Sequence, residues 1–464
     1  MGKDSVTAAM DAASEVIRPM FGSTMVIVVV FTPIIFLSGV SKYLFTSLAL
    51  SVTFSMLASF LVSVTLIPIM AAALFRNYLP NAEGQERRKS IFERFFDRVS
   101  ALYERLLAFF LGMRLLTLGA AFGLLAVAIL MAGGLGFELF PKMDVGQVEI
   151  YARFEPGTRL EVSEKYIAGI EESIRDVAGE ELNMLVSNIG VFYDWPAAYT
   201  PNSGTQDAFL KVQLKENHAR STFDLVGELR KRLNTDFPGV EFSFNTGGIV
   251  TAALNYGLSS PIDIQIRGDK LEKANEIAAQ IRDRVRQIPG TRDVRILQRI
   301  NQPQLDIDID RVKAAEMGLH AEDVVKNVVA GLNSSTTFAK SFWIDERNGN
   351  HYFVGVTYPE HLIDDENMIE NVQISSETQG KSVPVRNFAK IRHSSAPTEV
   401  NHLNLTRVTD VHVNVEGRDI GHVATEVQEA LDAMDFPKGY EVKIRGEIEI
   451  MQNAFADLGL GLGL

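Results

Sequence analysis

An uncharged apolar run, residues 115–137, most constrains what this chain can fold into. It contains no acidic, basic or histidine side chain. An α-helix rises about 1.5 Å per residue, so a run of this length can cross an apolar slab of about 30 Å. Soon after it, the residues from Gln147 to Glu155 alternate between polar and apolar side chains, which is typical of a β-strand. The run therefore separates a membrane part from a part that contains β-structure.

The charge differs between these two parts. Residues 1–136 carry 11 basic and 8 acidic side chains, whereas residues 137–464 carry 34 and 50. An acidic second part would repel phosphate backbones, so we expect no nucleic acid partner. The chain contains no cysteine, which excludes disulfides and thiolate metal ligands.

Two more apolar runs precede the uncharged run at residues 115–137. The run from Pro19 to Gly39 carries no charge and predicts a transmembrane helix that Pro33 kinks. The run from Tyr43 to Phe75 is longer than a perpendicular crossing needs, which predicts a tilted span, with a second kink at Pro68. Residues 1–75 therefore hold two predicted membrane helices, at about 19–39 and 43–75, with membrane lipid as their partner. The N-terminus does not have the pattern of a signal peptide.

The segment 76–114 is the most basic part of the chain. Basic loops remain in the cytoplasm, so this segment is expected there, and the span at 115–136 then leads outward. Apolar residues recur at helical spacing from Ile91 to Phe110, with charged residues mainly on the other side, which predicts an amphipathic helix on the inner membrane surface. A core helix of a soluble domain is the alternative. All later residues are expected on the far side of the membrane.

The remaining sequence repeats a pattern of strand, helix and strand. Two such units in succession predict a split βαβ, or ferredoxin-like, subdomain within residues 137–258. A second subdomain is predicted in two pieces, 259–302 and 398–450, with another subdomain inserted at 303–397. That insertion includes a hairpin in which Asn348 and Gly349 suit a tight primed turn. Residues 451–464 turn apolar and predict the start of a further membrane helix.

The predicted fold class is thus an α+β membrane protein. It has three transmembrane helices, an amphipathic helix, and two ferredoxin-like subdomains, one of which carries an inserted subdomain.

Five stretches, in this order and spacing, resemble one family of membrane proteins. They read FTPIIFLSG, LIPIMAAAL, FPKMDVGQVEIYARFEPGT, LDIDIDRVKAAEMGL and VPVRNFAKI. The chain resembles the resistance-nodulation-division (RND) superfamily, most closely the acriflavine-resistance-like permeases of its hydrophobe and amphiphile multidrug branch. This resemblance covers almost the whole chain.

The resemblance implies a piece of a larger machine. Members have twelve membrane helices in two similar halves, and each half carries two ferredoxin-like porter subdomains and a docking subdomain. They are proton antiporters of the bacterial inner membrane, and not enzymes. They work as trimers with a periplasmic adaptor protein and an outer-membrane channel, and they export hydrophobic or amphiphilic small molecules. This chain would hold the fifth, sixth and seventh helices and the second large periplasmic region.

The family's proton relay lies on helices that do not correspond to any residues of this chain. The predicted spans carry no ionisable residue near their centres. The resemblance therefore implies that this chain supplies substrate-binding and docking regions without the relay, and it implies no cofactor.

Two sets of residues are candidates for substrate binding by resemblance. The first set is one face of a porter strand: Ile262, Ile264 and Ile266. The family often has aromatic residues on this face. The alternative is that these isoleucines pack the core. The second set belongs to a loop between porter strands, and its aromatic faces suit flat hydrophobic or cationic ligands, with plain packing as the alternative: Phe192, Tyr193, Trp195 and Tyr199.

Two other patterns suggest metal binding but are explained more simply. Four histidines recur at a spacing that suits neither a helix nor a strand, so we predict no metal site from His393, His402, His412 and His422. Three carboxylates alternate along one predicted strand and are expected at a solvated edge: Asp306, Asp308 and Asp310. No hydrolase, zinc-protease or nucleotide-loop motif is present.

The function predicted from the sequence is therefore part of a proton-driven multidrug efflux permease. Two alternatives remain open. One is a membrane-anchored periplasmic binding or scaffold module without transport activity, and the other is the heavy-metal efflux branch of the same superfamily.

Overall fold

The computed structural model describes residues 4–37, 39–74, 76, 91–132, 134–138, 144–191, 202–246, 260–363, 365–375 and 380–463. Three helical segments are long and apolar enough to span a membrane: Ser5–Phe36, Ser41–Leu74 and Arg114–Ala132. They correspond to the three predicted spans. The first span begins earlier than the sequence pattern suggested, because the helix starts at Ser5 with Asp4 as its N-cap.

The prolines act differently in the first two spans. Helix α1 (Ser5–Phe31) gives way to a 3₁₀ turn (Thr32–Phe36) with Pro33 at its start, where the missing N–H and the fixed φ are tolerated. Helix α2 (Gly39–Leu74) instead continues through Pro68. The disturbance expected at Pro33 is therefore present as a change of helix type.

The amphipathic segment is helical, as predicted. Helix α3 (Ile91–Gly112) is followed, after Met113 alone, by helix α4 (Arg114–Ala132). The Thr117 hydroxyl donates to the carbonyl oxygens of Phe110 (3.0 Å) and Met113 (3.1 Å), which connects the two helices. No residue of α4 is buried within the chain, as expected of a helix that lies against lipid or other helices.

The last described helix returns to the membrane part. Helix α12 (Glu447–Gly463) packs its end against the 3₁₀ turn after α1. A Cβ atom placed on Gly461 would lie 2.7 Å from Cβ of Pro33 and 3.2 Å from Cδ2 of Phe36. This contact therefore requires glycine, because any side chain would separate the two segments.

We expect Gly461→Ala to weaken this packing by about 1–3 kcal/mol, since the added methyl group has no space. The measurement is the apparent melting temperature of the full chain in detergent. Gly459→Ala is the matched control, because nothing lies within 4 Å of a Cβ at that position. Equal melting temperatures for the two variants would show that the contact with Pro33 is not tight.

The β-rich region has three parts, each with its own hydrophobic core. The first, unit A (144–246), runs β1 (Gln147–Arg153), α5 (Leu160–Ala178), β2 (Leu182–Ile189), β3 (Asp207–Leu214), α6 (Thr222–Asp236) and β4 (Glu241–Asn245). Its antiparallel sheet has the order β2-β3-β1-β4, so β4 forms one edge. Inward residues of β1 and β3, such as Ile150 and Leu210, pack against α5 and α6.

Unit B (260–301 and 397–446) repeats this order. Its elements are β5 (Ile262–Arg267), α7 (Leu271–Val285), β6 (Thr291–Ile296), β13 (Asn401–Leu403), β14 (Thr406–Val415), α11 (Ile420–Asp432) and β15 (Glu441–Gly446). The sheet runs β15-β5-β14, and the far edge of β14 pairs with both β6 and β13. β6 therefore lies at an edge of this sheet, as β4 does in unit A.

Unit C (302–396) is inserted between β6 and β13. It contains β7 (Gln302–Ile309), α8 (Arg311–Glu316), α9 (Ala321–Asn333), β8 (Ser341–Ile344), β9 (His351–Val354), α10 (Glu366–Glu370), β10 (Gln373–Ser375), β11 (Ser382–Pro384) and β12 (Ala389–Ala396). Strands β7 and β12 pair antiparallel and connect the unit to unit B. Phe388 and Ile374 are among the residues of its core.

Two details of unit C differ from the sequence prediction. The hairpin β8–β9 forms, but Gly349 has a positive φ (+74°) and Asn348 does not, so the connection is not the primed two-residue turn. Asp310 does not continue the strand face of Asp306 and Asp308, because it caps α8 and accepts from the N–H groups of Val312 and Lys313.

Candidate functional site at the seam between units A and B

The aromatic loop residues Phe192, Tyr193, Trp195 and Tyr199 lie outside the described residues, so their role remains a prediction. The base of their loop is held by Asn202, whose Nδ2 donates to the carbonyl oxygens of Asn188 (3.1 Å) and Gly190 (2.9 Å). Asn202 is therefore attached to the end of β2.

The isoleucine face is placed by the structure in a hydrophobic core. Ile262, Ile264 and Ile266 are 0% exposed and pack with residues of α7, α11 and β14. Their side chains thus offer no accessible surface to a ligand in this conformation. This burial favours the packing alternative, because the helices of unit B cover this face of β5, and a substrate-binding role for the three isoleucines stays a prediction.

The opposite face of the same sheet is polar and yet buried. Asp263 and Gln265 on β5 and Asp410 and His412 on β14 are all buried. Alternating polar residues on a strand usually face water. His412 lies near Arg153 of unit A, so this face borders the contact between units A and B, which we call the seam.

Arginine side chains connect the units across the seam. Arg153 of β1 donates through Nη1 to the carbonyl oxygen of Ile296 (3.1 Å). In the other direction, Arg299 donates through Nη1 to the carbonyl oxygen of Phe154 (2.6 Å). The guanidinium carbon of Arg295 lies 5.0 Å from the ring centroid of Tyr151, a cation–π contact.

Glutamine side chains hold one buried carboxylate in place. Asp410 accepts from Nε2 of Gln298 (2.7 Å) and of Gln265 (3.2 Å). Its own backbone N–H donates to Oε1 of Gln298 (2.8 Å), so these two residues bind each other reciprocally. This pairing satisfies buried polar groups that would otherwise destabilise the seam.

Burial changes the protonation of the seam residues. It raises the pKa of Asp410, and burial together with the charge of Asp410 raises the pKa of Asp263 well above its usual range. Burial, with the charges of Arg295 and Arg153, lowers the pKa of His412 to about 3. His412 Nε2 lies 3.8 Å from Asp263 Oδ1, and both pKa shifts favour the neutral forms.

Burial also affects the pKa of Arg295. Burial and the charge of Arg153 lower the pKa of Arg295 to about 10, which leaves its guanidinium charged at neutral pH. Burial also raises the pKa of Tyr151 beneath it. The seam can therefore present a fixed positive charge and an aromatic ring close together, although it contains several acidic side chains.

A cavity of about 300 Å³ lies at one end of the seam. Unit A contributes Asn234, Val240, Glu241 and Phe242 to its lining, and unit B contributes Arg286 and residues 291–295. Because both units line it, its size depends on how the units are placed relative to each other.

The histidines and carboxylates do not form a metal centre in the part of the chain that the structure describes. No group of three or more His, Asp or Glu residues there is placed to hold an ion. His393 contacts Glu366 (2.6 Å) and His422 contacts Asp419 (2.7 Å), each as a separate pair. Asp308 contacts Arg392 (3.2 Å) across β7 and β12.

Sequence reasoning did not identify the seam. The one available signal was the polar side of β5, where Asp263 and Gln265 alternate with the isoleucines. A strand with polar alternation predicts a solvated face, and only the position of unit A shows that this face is covered.

Curated relatives cover almost all of this chain. Protein HelA of Legionella pneumophila is 26% identical over 454 residues, which are 96% of this chain and 42% of that protein. The cobalt-zinc-cadmium resistance protein CzcA of Cupriavidus metallidurans is 27% identical over 457 residues (96% and 41%). The nickel-cobalt-cadmium resistance protein NccA of Alcaligenes xylosoxydans xylosoxydans is 24% identical over 466 residues (99% and 42%). The chain therefore spans about two-fifths of the length of these relatives.

A solved heavy metal efflux pump shares the fold. The structure of its crystal form II superposes with a TM-score of 0.77 at 21% identity, covering 99% of this chain and 45% of the pump. Crystal form I gives a TM-score of 0.78. Two of the three relatives are named for metal resistance, so these comparisons support the predicted superfamily but not its multidrug branch.

The profile of the AcrB/AcrD/AcrF family matches residues 1–460. Members of this family are transport proteins and not enzymes, which agrees with the three apolar helices and with the fold of the β-rich region. The chain therefore belongs to the AcrB/AcrD/AcrF family of the RND superfamily.

Proposed function

We propose that this chain is a central portion of an RND efflux permease and that units A and B handle the exported substrate. The observation that carries this proposal is the arrangement of the two βαββαβ units, which meet along a buried, charged seam and follow directly on membrane helices. In the family's terms, units A and B are ferredoxin-like porter subdomains and unit C is the docking subdomain.

The remaining features of the family belong to the same proposal. They are the trimer, the proton antiport, the periplasmic adaptor protein and the outer-membrane channel. The basic segment 76–114 supports a location of the β-rich region on the periplasmic side of the inner membrane, by the positive-inside rule. The proton relay is expected on parts of the permease that correspond to no residues of this chain.

Two substrate classes are candidates. The aromatic loop with Trp195 and Tyr199 supports hydrophobic or amphiphilic molecules, because aromatic faces bind flat and cationic ligands. The names of CzcA and NccA support divalent metal ions. The seam itself adds no support for metal ions, because Asp263, Asp410 and His412 lie there but no group of three such residues in the described part of the chain is placed to hold an ion.

The test is export by the longest reading frame that contains this chain, expressed in a bacterial host without its own efflux pumps. Growth is measured with cationic dyes and detergents in one arm and with zinc, cobalt, cadmium and nickel salts in the other. Resistance in the first arm supports the multidrug branch, and resistance in the second supports the metal branch. Normal expression with resistance in neither arm would overturn the export proposal and favour the scaffold alternative.

Replacement of Trp195 by alanine should change resistance in the dye and detergent arm specifically. An aromatic contact contributes about 0.5–1.5 kcal/mol, so we expect a loss of about two- to tenfold in resistance to some dyes, with others unchanged. Trp343→Ala is the matched control, since Trp343 lies on β8 of unit C. An unchanged dye spectrum at normal expression would show that Trp195 has no role in binding.

A further inference from the structure

Strands β4 and β6 face each other at the seam as the edges of two separate sheets. In the described residues β4 pairs with β1, and β6 pairs with β14. An exposed strand edge offers unpaired N–H and C=O groups to any neighbour. Here the edge of β4 is bound by side chains of unit B and not by another strand.

Phe244 of β4 is the residue bound in this way. Its backbone N–H donates to Oδ2 of Asp293 (3.1 Å), and its carbonyl oxygen accepts from Nδ2 of Asn414 (2.8 Å). The carboxylate and the amide thus take the places that a neighbouring strand's C=O and N–H groups would occupy.

Asp293 is the centre of this cluster. Arg230 of α6 binds it in a bidentate manner, with Nε to Oδ1 and Nη2 to Oδ2 both at 3.0 Å. Nδ2 of Asn414 adds a bond to Oδ2 (3.1 Å). Arg230 also pairs with Glu416 of unit B and lies 4.9 Å from the ring centroid of Phe244.

The backbone of unit B is irregular at this point. Asp293 has a φ of +48°, which a residue other than glycine seldom adopts, and the pairing of β6 with β14 shifts register between His412 and Asn414. An irregular strand re-aims its side chains, and these two deliver Asp293 and Asn414 to the edge of unit A. Such local strain is retained where the surrounding contacts compensate for it.

We propose that Arg230, Asp293 and Asn414 form a reversible clasp that holds units A and B closed along the seam. The side chains of Arg230 and Asp293 are 15% and 6% exposed, so the ion pair is largely shielded from water. Opening it breaks no hydrogen bond between strands of either sheet. The other links across the seam, from Arg153, Arg295 and Arg299, are also made by side chains, so the units can separate while each of them stays folded.

The clasp lies directly at the cavity, whose lining includes Asp293 and Phe242. Opening the clasp moves the two walls of this cavity apart. In the export function proposed above, the open form is the one that admits substrate to the seam. That consequence rests on the proposed function, whereas the clasp itself can be measured without transport.

The chain has no cysteine, so a pair of spin labels can be introduced without removing native residues. We would attach them at Lys231→Cys on α6 and Gln287→Cys after α7, both exposed positions, in the full chain in lipid nanodiscs. The parent should give one narrow distance by pulsed electron paramagnetic resonance. Arg230→Ala and Asp293→Ala should add a longer, broader population.

The expected change in the ratio of open to closed forms is large, because hydrogen bonds to charged groups are strong. Loss of the ion pair should raise the ratio of open to closed forms about tenfold to a hundredfold. Asp293→Asn keeps an acceptor for Phe244 but loses the charge, so it should fall between the parent and Asp293→Ala. Arg232→Ala is the control, because Arg232 pairs with Asp236 on the same helix and not across the seam (2.6 Å).

Hydrogen exchange of β1 and β5 separates opening from unfolding. Protection of both strands should be retained in each variant, while the N–H of Phe244 exchanges faster. An unchanged distance distribution in Arg230→Ala, or loss of protection in β1 and β5 of both Asp293→Ala and Asp293→Asn, would overturn the clasp. Altered distances without any export in the growth assay would uphold the clasp and count against the proposed function.

Discussion

Replacing Ile264 with alanine is expected to lower the free energy of unfolding of unit B by about 2–5 kcal/mol, because the side chain is fully buried. Its strand neighbours are Val411 of β14 and Ile444 of β15, so the cavity would open in the middle of the sheet. Urea unfolding of the full chain in detergent, followed by hydrogen exchange in β5 and β14, measures the loss.

Ile344→Ala is the matched control for this prediction, since the same change is made at a side chain that is 44% exposed. It should change stability by less than about 0.5 kcal/mol. The comparison also separates the two interpretations of the isoleucine face. A ligand contact would alter the resistance spectrum at unchanged stability, and that result would contradict the core placement.

His412 should make the seam sensitive to acid. Its pKa is about 3 in the folded chain and 6.5 in the unfolded reference, so folding favours the neutral ring. The stabilisation is fully present above pH 6.5 and is lost as the pH falls from there towards 3. Between pH 6.5 and 5 the expected loss is about 2 kcal/mol.

Unfolding of unit B as a function of pH, in the parent and in His412→Gln, measures this effect. The variant does not titrate and should lack the loss between pH 6.5 and 5. The raised pKa values of Asp263 and Asp410 act in the opposite direction, because protonation at low pH relieves their burial. That contribution is common to both proteins, so identical pH profiles would show that His412 is not kept neutral by the seam.

Much of the architecture could be predicted from local patterns. Uncharged runs indicated all three candidate spans, because a helix in lipid must be apolar along its whole length. Periodicity indicated the two βαββαβ units and the insertion between β6 and β13, since periods of two and of about 3.6 residues distinguish strands from helices. The amphipathic helix α3 was indicated by the same period.

One error arose where a residue can satisfy two patterns. Asp310 continued the alternation of Asp306 and Asp308, but it also stands directly before a helix, and there capping decides its role. Ile264 fitted both a pocket strand and a core strand, because alternation shows that a face is apolar and does not show what covers it.

What the sequence by itself determined is most of the helices and strands, their order, and the division at residues 115–137 between membrane and β-rich parts. These follow from interactions between near neighbours in the chain, whose spacing can be read directly. Only the tertiary structure decided that the polar face of unit B is buried and that Arg230 meets Asp293, 63 positions further along the chain. A seam between separately folded units depends on how two finished surfaces fit together, and no local pattern records that fit.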